Sequence, residues 1–377
     1  MYNKLNHILI ILIIATAASS CRALLYNIPN ETDYKIFPHR VIKNSPGSIF
    51  YFSKSDSLNN LGKVILTHYD ELTPNLKTLD DYLNESKTAA FIIIRNDTIL
   101  YCKYNEKYRE NSIFNLFSVT KAFITTLVGI AIDEGKIKNV DQPITDYLPE
   151  LLVKDGFSKI TIRHLLLHTS GIKFSDSRLN PFSDNARYYY CRRLRKLVLN
   201  AELYESPGLE IHYSSVNFQL LALILERSTG NTLSSYLEEK IWKRIGMQYE
   251  ATWSLDNKRK RSIEKAFSCL NCTAIDLAKL GRLYLNNGVW ANSQILSQSY
   301  IYEATRRDSS YGSGLNFQYN FRLGHKQYGS YYSRGLYGQL VYVYPKRNII
   351  IVMMGEADLK YNPQFINEII EEIIDEI

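Results

Sequence analysis

The chain has 377 residues, 45% of them hydrophobic and 22% charged, and a formal net charge of +7. That balance excludes a disordered or fibrous protein and allows one large core or two intimate ones. No repeat period or low-complexity run stands out, and the basic tracts CRRLRK (191–196) and NKRKR (257–261) lack any nucleic-acid module around them and read as solvated faces.

Lys4 precedes the apolar run ILIILIIATAA, which is too short to span a bilayer comfortably and ends in small residues before Cys21. This reads as an export signal over residues 1–20. AASSC resembles the lipobox of bacterial lipoproteins, although Ala18 stands where an aliphatic residue is usual. The resemblance implies acylation of Cys21, a membrane partner through that anchor and a periplasm-facing place in the cell envelope. The alternative is ordinary cleavage near ATA with Cys21 as a bystander.

Residues 22–85 read as an irregular N-terminal extension ending in a short helix at TLDDYLNES, ahead of a main domain over 86–377. AAFIIIRNDTILYCKY has two apolar runs separated by a turn and predicts a β-hairpin. After FNLFSVTK, apolar residues Phe123, Leu127, Ile130 and Ala131 recur at helical spacing until Gly135. From about 140 to 300 the pattern is mainly helical, with ARYYYCRRLRKLVLN as one helix. Beyond 310, four strand-like runs lead to a final amphipathic helix, PQFINEIIEEIIDEI. Strands at both ends around a helical block predict an α+β (α/β) fold: a sheet closed by the two termini and flanked by terminal helices, with a helical subdomain inserted. The first long helix emerges at the junction, where a cleft is expected.

Ser-x-x-Lys spacing occurs at Ser118/Lys121, Ser170/Lys173 and Ser262/Lys265. SGIK carries a glycine at the end of a helix and offers no rigid platform; SIEK follows a basic tract, where a lysine is most simply a surface charge. Only Ser118 and Lys121 precede a long apolar helix, one turn apart on the same side. A serine hydroxyl needs a base, and burial, a neighbouring cation and the helix dipole would favour a neutral amine there. The bland alternative is a serine N-cap with a snorkelling lysine.

Tyr213 and Ser215, in IHYSSVNFQLLALILERSTG, also precede a strongly apolar helix, and a phenol beside an amine suits proton relay. In YYSRGLYGQLVYVYP, Gly335 interrupts a strand-like run. Close approach of another backbone would explain it and would expose the Leu336 N–H, which with the Ser118 N–H makes a two-donor oxyanion hole. The alternative is a bulge bent at Gly335 and Gly338. Cys102, Cys191, Cys269 and Cys272 are too few for a disulfide scaffold, and CLNC has no second pair. Structural cysteines, no metal and no cofactor are expected.

SVTK, HLLLHTSG, YSSVNFQLLALILERSTG and SRGLYGQ, in this order over about 85–355, resemble the serine β-lactamase-related family, nearest its class C-like esterases and amidases. The resemblance implies a β-lactamase/transpeptidase-like fold and an acyl-enzyme with Ser118 as nucleophile, Lys121 as proton acceptor and Tyr213 as relay. Ser215, Ser333 and Gly335 would bind substrate. Where the family carries Lys-Thr-Gly, this chain has Ser333-Arg334-Gly335. Strand alternation turns Arg334 away from the face shared by Ser333 and Gly335, which disfavours a lactam carboxylate and favours small ester or linear amide substrates. The rival expectations are a penicillin-binding D,D-peptidase or β-lactamase, and a non-catalytic, lipid-anchored binding or sensor protein.

Overall fold

The computed structural model describes residues 28–66, 77–177, 180, 182–312, 314–356 and 363–377, with backbone alone for 363–367. Cys21 and the apolar run before it lie outside the described residues.

Strands β1 (His39–Ile42) and β2 (Ser53–Lys54) precede helix α1 (Leu79–Glu85), which begins with a reciprocal cap between Thr78 and Asp81. The expected hairpin is β3 (Thr88–Arg95) and β4 (Thr98–Tyr104), joined by Asn96 and Asp97 with φ 50° and 60°, the two left-handed positions of a tight hairpin turn. After β5 (Phe114–Asn115) comes α2 (Thr120–Asp133), followed by α3 (Ile162–Leu167), α4 (Asp184–Tyr190), α5 (Leu194–Leu199), α6 (Ser215–Thr229) and α7 (Leu233–Leu237). Strands β6 (Ala251–Ser254) and β7 (Leu270–Cys272) lead to α8 (Ala274–Leu285) and α9 (Gln298–Thr305). Strands β8 (Phe317–Gln318), β9 (Phe321–Leu323), β10 (Tyr331–Arg334), β11 (Leu340–Tyr344) and β12 (Ile349–Gly355) follow, and α10 (Pro363–Asp375) closes the chain.

The main sheet runs β8-β9-β10-β11-β12-β3-β4-β2, antiparallel except for β2. β12 pairs with β3 along its length, for example Ile351 with Ile93, so the two ends of the chain do close one sheet. Its central strands are covered on both faces and therefore read as continuous apolar runs rather than alternating ones. Ile92, Ile94, Val341, Ile350 and Val352 pack toward α2, α6 and α8. Ile93, Tyr342, Ile351 and Met353 pack toward α1 and α10, which supplies Ile369, Ile370, Ile373 and Ile374. A second sheet, β1-β6-β7-β5, lies beside the helical block and carries the chain into α2.

Two expectations change. Residues 28–66 are not wholly irregular, because β1 pairs antiparallel with β6 and β2 adds parallel to β4. ARYYYCRRLRKLVLN is two helices, since buried Lys265 takes the Tyr189 and Cys191 carbonyls at 2.6 and 3.2 Å, and Asp256 Oδ2 accepts the Leu194 N–H at 3.0 Å. Those groups are then unavailable to one continuous helix.

Candidate active site

Ser118 sits in a single 3-10 turn, Phe117–Val119, between β5 and α2. Phe117 has φ 45°, a strained position for an aromatic residue, and is pinned by its N–H to Asn115 Oδ1 at 3.1 Å. The residue capping α2 is Val119, so Ser118 is not the N-cap. Lys121 is 1% exposed, which rules out a snorkelling lysine. Its Nζ lies 3.0 Å from Ser118 Oγ and 2.7 Å from the Phe267 carbonyl oxygen, and 5.0 Å from the ring centroid of Tyr213.

The other Ser-x-x-Lys pairs come apart. Ser170 Oγ donates to Asn217 Oδ1 at 2.7 Å while Lys173 is exposed. Lys265 is not the surface charge the sequence suggested: it is fully buried, over the Phe37 ring, and bound to carbonyls. A basic flank misleads there because the chain turns inward at Ser262.

Tyr213 stacks on His168, with ring centroids 4.4 Å apart. His168 is fully buried at the end of α3; its Nδ1 accepts the Ser214 N–H at 3.0 Å and its Nε2 faces Asn320 Oδ1 at 3.4 Å. That pattern suits a neutral ring protonated on Nε2. Burial first, and then the charge of Lys121, push its pKa down to about 3. Asn217 Nδ2 lies 3.4 Å from the same Nδ1, so the HLLLHTSG and YSSVN segments are locked together behind Tyr213. Sequence reasoning missed His168 and Asn217. Their signal was two segments with no assigned bond between them.

Gly335 is extended (φ −114°), so handedness does not require glycine here. Space does: a Cβ would lie 2.6 Å from Leu116 O and 3.2 Å from the Ser118 nitrogen. The close-approach explanation therefore holds over a bulge. No hydrogen bond to the Ser118 or Leu336 N–H occurs among the described residues.

Ser118, Tyr213, Ser215, Gly335 and Leu336 line one open cleft. Ser333 does not join them. It is fully buried within strand β10 and its Oγ has no partner among the described residues, whereas Arg334 reaches the cleft wall with Asp176 and Arg322. The alternation argument fails because β10 ends at Arg334 and the chain turns at once, Gly335 N–H bonding to Gln339 O at 2.8 Å.

The four described cysteines are free thiols, and burial raises the Cys269 pKa to about 11. Glu205, Glu210 and His212 place ligand atoms within 4.8 Å of one another in the loop before Tyr213, but none of them lines the cleft.

This fold, with a serine–lysine pair at the start of a buried helix, belongs to the β-lactamase family, whose model matches residues 77–360 of the chain. The family's members are hydrolases. Among relatives, the 6-aminohexanoate-dimer hydrolase of Paenarthrobacter ureafaciens is 28% identical over 310 residues, covering 76% of this chain and 77% of that protein. Esterase EstB of Burkholderia gladioli is 28% identical over 181 residues, 42% of this chain and 45% of that one. Among solved structures, one provisionally assigned as a 6-aminohexanoate-dimer hydrolase from Bacillus anthracis superposes with a TM-score of 0.79 at 23% identity, covering 92% of this chain and 91% of its own. That likeness carries the fold.

Proposed function

We propose that the chain is an exported serine hydrolase that cleaves small ester or linear amide bonds through an acyl-enzyme on Ser118. The observation that carries this reading is the 3.0 Å contact between Ser118 Oγ and the buried Lys121 Nζ, on the same cleft as Tyr213. That contact puts the amine where it can take the hydroxyl's proton. Lys121 takes the proton as Ser118 Oγ attacks the carbonyl carbon, and the Ser118 and Leu336 N–H groups receive the oxyanion. The proton passes by way of Tyr213 to the leaving group; water then attacks the acyl-enzyme by the same route in reverse. Residues 1–20 act as the export signal and acylated Cys21 as the anchor.

A fluorophosphonate or p-nitrophenyl ester should label Ser118 and neither Ser170 nor Ser262, as read by peptide mass mapping. Lys121→Ala should slow acylation by about a hundredfold to ten-thousandfold with the fold retained. Tyr213→Phe should cost more on an amide than on an activated ester, because only the amide needs its leaving group protonated. An adduct elsewhere, or equal losses on both substrates, would sink the assigned roles. Metabolic labelling with a palmitate analogue should tag the wild type and not Cys21→Ala; an untagged soluble protein would remove the anchor.

One observation favours a second reading. Arg334 lines the same cleft as Ser118 and Tyr213, so a cation borders it. The penicillin-binding protein 4* of Bacillus subtilis, 28% identical over 159 residues, shares 41% of this chain and 34% of its own length. Stable labelling by a fluorescent penicillin, lost in Ser118→Ala, would select that reading over the esterase.

A further inference from the structure

Three stretches far apart in sequence meet on one face. Lys35, His39 and Arg40 form one side of a shallow open groove, and Lys258, Arg259 and Lys260 form the other. Asn257 Nδ2 donates to the Arg192 carbonyl at 3.1 Å, which sets the start of the other basic tract alongside. The tracts read separately as solvated faces are therefore continuous.

Lys35, Arg192, Arg193, Lys258, Arg259, Lys260 and Arg261 are all exposed and make no ion pair among the described residues. The carboxylates beneath them are already engaged. Glu264 is buried against Arg40 at 2.7 Å and Ser234, and buried Asp256 accepts the Leu194 and Ile263 N–H groups. These seven cations equal the whole formal excess of +7, so the remainder of the chain is balanced.

We propose that this basic face docks on the anionic headgroups of a phospholipid surface. An open groove without an enclosed pocket suits a plane of charges better than one small anion. Phe37, the aromatic residue in the groove, is 5% exposed and offers no stacking platform for nucleic-acid bases. The segment carrying Lys35 leads back to the apolar run at 8–18, and the 17 residues from Ala18 to Lys35 reach at most about 60 Å. That segment also places Pro29 in the wall of the catalytic cleft.

The test partitions the full chain onto vesicles of phosphatidylcholine alone and of phosphatidylcholine with phosphatidylglycerol in a two-to-one ratio. The anionic-to-neutral ratio cancels any contribution of the apolar run. Since each basic residue near an anionic surface contributes roughly fivefold, the ratio should exceed about fiftyfold at low salt and collapse at high salt. Replacing Lys258, Arg259, Lys260 and Arg261 together by alanine should lower it by well over about tenfold, with ester hydrolysis in solution unchanged. Arg192→Ala with Arg193→Ala should independently lower it by about tenfold or more. A wild-type ratio near one, or variants that keep the wild-type ratio, would overturn the proposal. Equal affinity for a duplex DNA fragment at the same salt would also overturn it, in favour of a general polyanion site.

Discussion

Gly335 has no room for a side chain: the missing Cβ would collide with Leu116 O, a backbone atom beside the turn that carries Ser118. Gly335→Ala should push β10 away from Ser118 and lower turnover by more than about tenfold while the far-UV circular dichroism stays native. Gly47→Ala, with nothing within 4 Å, is the matched control. Full activity in Gly335→Ala would show that the close approach is not needed. His168 makes a different prediction. Its folded pKa is held at about 3 against roughly 6.5 when unfolded, so between those values the unfolded chain binds the extra proton. Stability therefore falls as pH drops through 6.5, by about 2 kcal/mol at pH 5. Urea unfolding at pH 7 and 5 should show this loss in the wild type and a smaller one in His168→Gln; the same loss in both would assign the effect to other groups.

At the scale of elements, long periodic segments were legible and short non-local ones were not. α2, α6, α8 and the β3–β4 hairpin follow from periodicity and turn chemistry within a few residues of chain. β1 and β2 are only four and two residues long, and β1 finds its partner β6 more than two hundred residues away, so nothing local marks it. The same limit hid the break between α4 and α5, which is set by Lys265 and Asp256, and the bonds from His168 to the segment before α6. Residue types at the site could be read because Ser118 and Lys121 lie three residues apart, in the 3-10 turn and the first turn of α2. Arg334 was misjudged because alternation was carried past the end of its strand. The N-terminal segment is held by buried Asp33, which accepts the Tyr190 hydroxyl at 2.6 Å, and by Tyr337 donating to Pro29 O at 2.8 Å. Tyr190→Phe should cost about 1.5–3 kcal/mol and loosen the Pro29 wall. A raised KM with little change in kcat on an activated ester is expected. An unchanged KM would mean that the wall does not meet substrate.

For the molecule as a whole, the main sheet separates the cleft from the terminal helices, so stability and activity can be altered independently. Ile373 is fully buried on the face opposite Ser118. Ile373→Ala should cost about 2–5 kcal/mol in urea unfolding and leave kcat of the folded protein unchanged; a parallel fall in kcat would show that the sheet transmits the defect to the site.

The pairing of β12 with β3 also sets a schedule. β10, which carries Gly335 up to Ser118, is joined to the N-terminal strands only through β11 and β12. A nascent chain that has exposed Ser118, Lys121 and Tyr213 but not yet its last strands has no second wall for the cleft. Such non-local closure is slow and comes late. On the proposed mechanism, a nascent chain should therefore fail to react with a fluorophosphonate until its final strand has docked.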